Sequence, residues 1–289
     1  MKRVVKWFAI AVSGLAVIAF VAVAVVYVVS ERVINRTYDV ALFPVTLITD
    51  SLALQEGQRL ATLRGCYDGC HGEKLNGGVF FDEPMVARVV APNLTLAISE
   101  YSNEELARAI RYGVKRDGKS SMVMPTGMLY HLSDEDLASI ISFLRSVPPS
   151  DGPAAETRVR LMGRVGVMAG VLEPSATQID PLVPRFEVTD PADDLARGQY
   201  LALTVCAECH GNDLRGHPQD GVPGLGVAAA YSKEAFSRLM QTGIGLGDRE
   251  LGLMTSVARS RFAHFTEDEV RVMHAYLQTL AVQEVIVAR

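Results

Sequence analysis

Cys206-Ala207-Glu208-Cys209-His210 decides how this chain is read. Two cysteines separated by two residues and followed at once by a histidine form an attachment site for a c-type haem. The two thiols add to the vinyl groups of the porphyrin, and the adjacent imidazole faces the iron. The residues must stand close because one porphyrin edge and its metal are reached from a single turn of backbone. A zinc site would need a second pair of ligands at suitable spacing, and the chain has none. A redox dithiol does not require the histidine.

A second copy lies upstream, as Cys66-Tyr67-Asp68-Gly69-Cys70-His71. It has one residue more between its cysteines. The flanks agree: Cys70-His71-Gly72-Glu73-Lys74-Leu75-Asn76-Gly77 aligns with Cys209-His210-Gly211-Asn212-Asp213-Leu214-Arg215-Gly216. Gly69 lets the extra residue bulge without steric penalty. The insertion leaves open whether Cys66 forms a thioether as Cys206 does.

With two such motifs, the chain resembles the tandem dihaem cytochromes c, built from two class I cytochrome c domains. The resemblance spans about residues 45–289. It implies an all-α fold, two covalently attached haem c groups, and His71 and His210 as iron ligands. It also implies that the carbonyl of Pro92, in Ala91-Pro92-Asn93-Leu94-Thr95, supports the haem histidine. Such a contact follows the general rule that a ligating imidazole is oriented through its other nitrogen. Pro223 takes the place of Pro92 in the second repeat.

The chain of 289 residues is long enough for two ordinary domains and an anchor. All four cysteines fall in the two motifs, so none is left for a structural disulfide. Residues 1–36 carry five basic residues and one acidic, leaving 23 basic and 32 acidic beyond them of the total 28 and 33. A body this acidic is a poor nucleic-acid binder and suits cationic partner surfaces.

Lys2, Arg3 and Lys6 precede an uncharged run from Trp7 to Val29. As a helix these residues span about 35 Å, enough to cross a bilayer. Ala22-Val23-Ala24 looks like a signal-peptidase site, but signal cores run about 7–15 residues and the apolar run continues past it. An uncleaved single-pass anchor is expected within residues 1–36. Positive charge before the span holds the N-terminus inside. The haem domains then lie in the periplasm of a bacterium, anchored on its inner membrane.

Each repeat reads as helices around a loop. In the first, 45–150, Ser51–Arg64 leads into the haem motif, and no helical period survives from Gly72 to Thr95. Ser102-Asn103-Glu104-Glu105 is a capping box, and Gly113 is placed to end that helix. Ser133 starts a last helix with Leu137, Ile140, Ile141 and Leu144 on one face. Residues 151–190 hold four prolines and read as an extended linker, with an apolar stretch Leu161–Leu172 expected to pack along one or both domains. In 191–289 the pattern returns: Gly198 over Gly57, Gly243 over Gly113, and a capping box at Thr266-Glu267-Asp268-Glu269. The resemblance pairs Phe143 with Gly57, and Tyr276 with Gly198, at helix crossings.

Iron that carries electrons without chemistry needs a sixth ligand, and methionine opposite histidine is a common, potential-raising choice. Met124 lies 23 residues after Tyr101, and Met254 lies 23 after Tyr231, whereas Met122 falls at 21. A loop methionine is otherwise an adaptable apolar contact, but equal spacing in two copies selects Met124 and Met254. His131 and His264, each two residues before a final-helix cap, are the rival ligands. His217 and His274 have no counterparts and read as surface residues.

The resemblance implies electron transfer on the outer face of the membrane, free-standing or as the cytochrome subunit of a dehydrogenase. The donor would be a dehydrogenase or quinol-oxidising complex, and the acceptor a terminal oxidase or soluble cytochrome. The rival class is a dihaem enzyme such as a peroxidase or a thiosulfate-oxidising cytochrome. A peroxidase must open one iron, yet both repeats offer a methionine. Thiosulfate chemistry would call for a spare cysteine.

Overall fold

The computed structural model describes residues 2–153, 156–180 and 182–287. Helix α1 (Lys2–Ile34) carries the apolar run, with its side chains exposed almost throughout. Its length and composition fit a membrane anchor.

The first repeat begins with α2 (Ser51–Leu63), capped by Asp50, whose side chain accepts from the Ala53 N–H at 2.9 Å. A π-helical turn, Cys66–Cys70, follows directly. Then come α3 (Leu94–Ala97), α4 (Asn103–Tyr112), α5 (Thr126–Leu129) and α6 (Asp134–Ser146). Both halves of the expected capping box form at Ser102 and Glu105, and Gly113 ends α4 in the left-handed region at φ 65°. Leu137, Ile140, Ile141 and Leu144 are all buried, as their spacing predicts. Burying each such side chain contributes about 1.5–3 kcal/mol. Helices α2 and α6 cross at Gly57. A Cβ there would lie 2.1 Å from the Ser139 carbonyl oxygen and 3.0 Å from the Phe143 Cβ.

The all-helical expectation holds except for one small sheet. Strands β1 (Gly78–Glu83) and β2 (Ala87–Ala91) form an antiparallel hairpin where sequence periodicity indicates only loop. The runs Val79-Phe80-Phe81 and Val89-Val90 are strand formers, but they are too short and too closely flanked by glycine and proline to declare themselves. A third strand, β3 (Arg158–Val159), pairs with β2 from 70 residues downstream.

The connecting segment is not a free extended linker. Helix α7 (Leu161–Met168) packs on the C-terminal end of α1. The remainder lies along the first repeat. The Ser175 N–H donates to the Ser121 carbonyl at 2.8 Å, the Tyr130 hydroxyl to the Val183 carbonyl at 3.2 Å, and the Phe186 N–H to His131 Nδ1 at 2.9 Å. His131 is thereby committed to the connecting segment.

The second repeat comprises α8 (Asp194–Leu201), a π-helical turn Ala202–Cys206, α9 (Ala207–His210), α10 (Lys233–Thr242), α11 (Leu253–Ser260) and α12 (Glu267–Val287). Gly198 repeats the crossing of Gly57: a Cβ would sit 2.2 Å from the Val272 carbonyl oxygen and 2.7 Å from the Tyr276 Cβ. His274 is not a surface residue. It is 3% exposed, stacks on Phe236 at 4.6 Å, and its Nε2 lies 3.3 Å from the Ala228 carbonyl. Helix α12 turns this position inward, and the ring's flat face satisfies the core while its nitrogen finds a carbonyl.

The repeats meet through charged and polar groups. Arg59 reaches Glu269 at 2.8 Å. The buried Arg64 guanidinium donates to Asp136 at 2.8 Å and to the Thr204 hydroxyl at 3.3 Å, and the Tyr200 hydroxyl donates to Asp136 at 2.6 Å.

Candidate functional site

The same backbone frame carries His71 and His210. The Gly77 N–H donates to the His71 carbonyl at 2.9 Å, and the Gly216 N–H to the His210 carbonyl at 2.8 Å. Leu75 and Leu214 sit in the left-handed region at φ 56° and 60°. That conformation costs a leucine roughly 1–2 kcal/mol, and both side chains are buried in return. Each leucine carbonyl then accepts from the first residue of the helical turn that follows the proline loop, from Leu94 N–H to Leu75 and from Leu225 N–H to Leu214, at 2.8 Å in both cases. Gly77 and Gly216 let the proline loop come close: a Cβ on Gly77 would lie 2.9 Å from the Pro92 carbonyl carbon, and one on Gly216 2.4 Å from that of Pro223.

This frame aims the histidines. His71 Nδ1 donates to the Pro92 carbonyl at 3.0 Å, and His210 Nδ1 to the Pro223 carbonyl at 2.8 Å. With Nδ1 carrying the proton, Nε2 keeps the lone pair a metal takes. Burial, opposed by the proline carbonyl, holds both imidazoles below the usual histidine pKa, which favours the neutral ligand form. Burial also pushes the Cys66 thiol up to about 11 and the Cys206 thiol up to about 12.

The extra residue of the first motif is absorbed in one wide turn. The Cys70 N–H donates five residues back, to the Gly65 carbonyl, at 2.8 Å. Single π-turns of this kind are how helices take an insertion near functional sites. Cys66, Cys70 and His71 all border one cavity of about 400 Å³. Its lining also includes Met124 and Met122, with apolar side chains from Phe80, Val89, Leu94 and Ile98. Two thiols, an oriented imidazole and a thioether around an apolar cavity fit the demands of a c-type haem.

In the second repeat Met254 stands in the same register as Met124. Gly113 and Gly243 each end a helix in the left-handed region, and bridges Val114–Ser120 and Ile244–Glu250 follow at identical spacing. Met124 and Met254 both pack against the buried core; Met122 borders the cavity without that packing. The local setting differs, since Met124 precedes α5 and Met254 lies in the first turn of α11. His264 is exposed, and its carbonyl accepts from Arg59 at 3.1 Å. Sequence reasoning missed the hairpin wall and the cation Arg261, which touches both motif turns. The run Val79-Phe80-Phe81 was the available signal for the wall; nothing local marks Arg261.

Paired helical repeats, each carrying a Cys-His turn whose histidine is aimed by a proline carbonyl, define a c-type cytochrome architecture. The chain belongs to the cytochrome c family: its family model matches residues 54–148 and 195–281, two such domains in tandem. Membership brings covalently bound haem c and electron transfer. The chain is 29% identical over 170 residues to the fructose dehydrogenase cytochrome subunit of Gluconobacter japonicus, covering 55% of this chain and 34% of that protein. It is 23% identical over 273 residues to the alcohol dehydrogenase (quinone) cytochrome c subunit of Gluconacetobacter polyoxogenes, covering 80% of this chain and 56% of that one. The gluconate 2-dehydrogenase cytochrome c subunit of Pantoea cypripedii is 22% identical over 278 residues, covering 80% and 60%. The chain thus spans from a third to three-fifths of the length of these curated relatives.

Proposed function

We propose that this chain is a membrane-anchored dihaem cytochrome that relays single electrons as the cytochrome subunit of a periplasmic dehydrogenase. The observation that carries the reading is the duplicated frame, in which an oriented histidine and a core-packed methionine recur at matching positions. The relatives that match over four-fifths of the chain are all dehydrogenase cytochrome subunits, which supports the same reading.

Cys66 and Cys70 would hold one haem and Cys206 and Cys209 the other. His71 with Met124, and His210 with Met254, would supply the axial pairs. Haem c, when bound, supplies a one-electron iron couple. The residues do the rest: the proline carbonyls aim each imidazole, burial keeps it neutral, the methionines would supply the second axial ligand, and the apolar lining of the first cavity excludes water. Lys2, Arg3 and Lys6 keep the N-terminus in the cytoplasm and place both haem domains on the periplasmic side. The donor is a dehydrogenase subunit or quinol-oxidising complex, and the acceptor a terminal oxidase or soluble cytochrome.

The test is purification of the detergent-solubilised chain from its own membranes. Two haems per chain should survive denaturation and acid-acetone extraction. The pyridine haemochrome should report two thioethers at each haem, Cys66 included. A dehydrogenase subunit should co-purify and reduce both haems with its substrate. Stoichiometric carbon monoxide binding by one haem of the parent protein would overturn the closed relay.

A further inference from the structure

Apart from Arg164, helix α7 carries only apolar side chains and glycine, on its buried side and its exposed side alike. Gly163 and Val167 are buried, while Met162, Val165 and Met168, spaced along one side, are 50%, 40% and 43% exposed. An exposed apolar stripe of this kind calls for an apolar cover. The hairpin tip joins it: the Met162 N–H donates to the Met85 carbonyl at 3.0 Å, and the Arg160 N–H to the Val86 carbonyl at 2.9 Å. Met85 is itself 62% exposed, so tip and helix leave one apolar surface uncovered.

What covers this surface is indicated by where α7 is pinned. Arg164 donates to the Ser30 hydroxyl at 3.0 Å, pairs with Glu31 at 2.7 Å, and lies over the Tyr27 ring at 4.5 Å. Those partners stand at the outer end of the apolar run in α1, where a tyrosine marks the bilayer–water boundary. Helix α7 has eight residues and is about 12 Å long, so none of it lies far from that boundary. The uncovered apolar surface is therefore continuous with the lipid-facing surface of α1.

We propose that α7 and the tip of the hairpin sit in the outer headgroup layer of the bilayer, as a second membrane contact beside the anchor. The proposal rests on the reading of α1 as a membrane anchor. Its consequence is orientation. Phe80 and Val89 of the same hairpin line the first cavity, so the contact holds the first site close to the membrane surface.

The experiment uses the full-length holoprotein in phosphatidylcholine–phosphatidylglycerol nanodiscs. With the four native cysteines consumed by haem attachment, Met168→Cys and, separately, Val21→Cys can each carry one nitroxide label. An unchanged reduced haem spectrum confirms the fold of each variant. Accessibility to oxygen and to a polar nickel chelate then reports depth. Both labels should favour oxygen, the label at 168 at a shallower depth than the one at 21. A label at 168 open to the chelate, with 21 in lipid, overturns the second contact and leaves the anchor standing. A label at 168 shielded from both reagents shows a protein cover and also overturns it. A label at 21 open to the chelate removes the anchor reading, and the proposal with it.

Discussion

Arg261 pairs with Glu208 at 2.7 Å while its guanidinium packs on Gly65 of the other repeat. Glu208 lies between Cys206 and Cys209, and Gly65 opens the turn that holds Cys66 and Cys70. A Cβ on Gly65 would sit 2.3 Å from the Arg261 guanidinium carbon, so the glycine makes room for the charge. One half-buried cation thus stands between the two attachment turns.

A positive charge beside a haem favours its reduced form, because net charge near the iron is among the terms that set its potential. Arg261→Met should therefore lower both midpoint potentials in a spectroelectrochemical titration. Leaving Glu208 unpaired adds to the fall. The double variant Arg261→Met with Glu208→Gln should recover part of it.

The methionine assignment is tested by removing each thioether. Met124→Ala and Met254→Ala should each lose their share of the methionine-to-iron charge-transfer band, lower one potential, and gain carbon monoxide binding. Met122→Ala should change little, despite bordering the same cavity. A band lost on Met122→Ala and kept on Met124→Ala would reverse the assignment.

The helix crossings give a stability prediction. Gly57→Ala and Gly198→Ala place a methyl group within 2.2 Å of a carbonyl oxygen on the facing helix. Overpacking against backbone should cost about 1–3 kcal/mol in each case, read as a lower unfolding midpoint of the holoprotein. Gly78→Ala, where a Cβ meets nothing within 4 Å, is the control and should be close to neutral.

His131 makes the docking of the connecting segment depend on pH. Burial first, and then the nearby Arg185 charge, hold its pKa below the usual histidine value. Its Nδ1 must be unprotonated to accept from the Phe186 N–H. A histidine with a lowered folded pKa contributes stability that is full above its unfolded value of about 6.5 and is lost as pH falls through the folded value. Hydrogen exchange at the Phe186 amide should therefore show lower protection on acidification from neutral pH, after correction for intrinsic rates. His131→Gln should flatten that dependence.

Much of the site was legible because its chemistry is local. Cys-His motifs, capping boxes at Ser102 and Thr266, and left-handed glycines at 113 and 243 are each encoded within a few residues. Duplication then supplied a register, and that register singled out Met124 and Met254 where a single copy would have offered three loop methionines. The long apolar helix α1 was legible for the same reason, since hydrophobic length is read along one helix.

What escaped the sequence depends on partners far along the chain. The hairpin completes its sheet with β3, contributed by the connecting segment. His274 is inside because Phe236 and Ala228 are brought to it by another helix and another loop. Arg64 and Arg261 look like any other arginines until the fold is complete, when Asp136 and Glu208 pair with them within their own repeats and Thr204 and Gly65 meet them from the other repeat. Sequence alone determined the cofactor chemistry and the duplicated helical plan, because covalent motifs, caps and hydrophobic periodicity act over single turns. Only the tertiary structure decided how the repeats face each other and where their charges lie, because an ion pair's worth depends on burial and on a partner that no local pattern specifies.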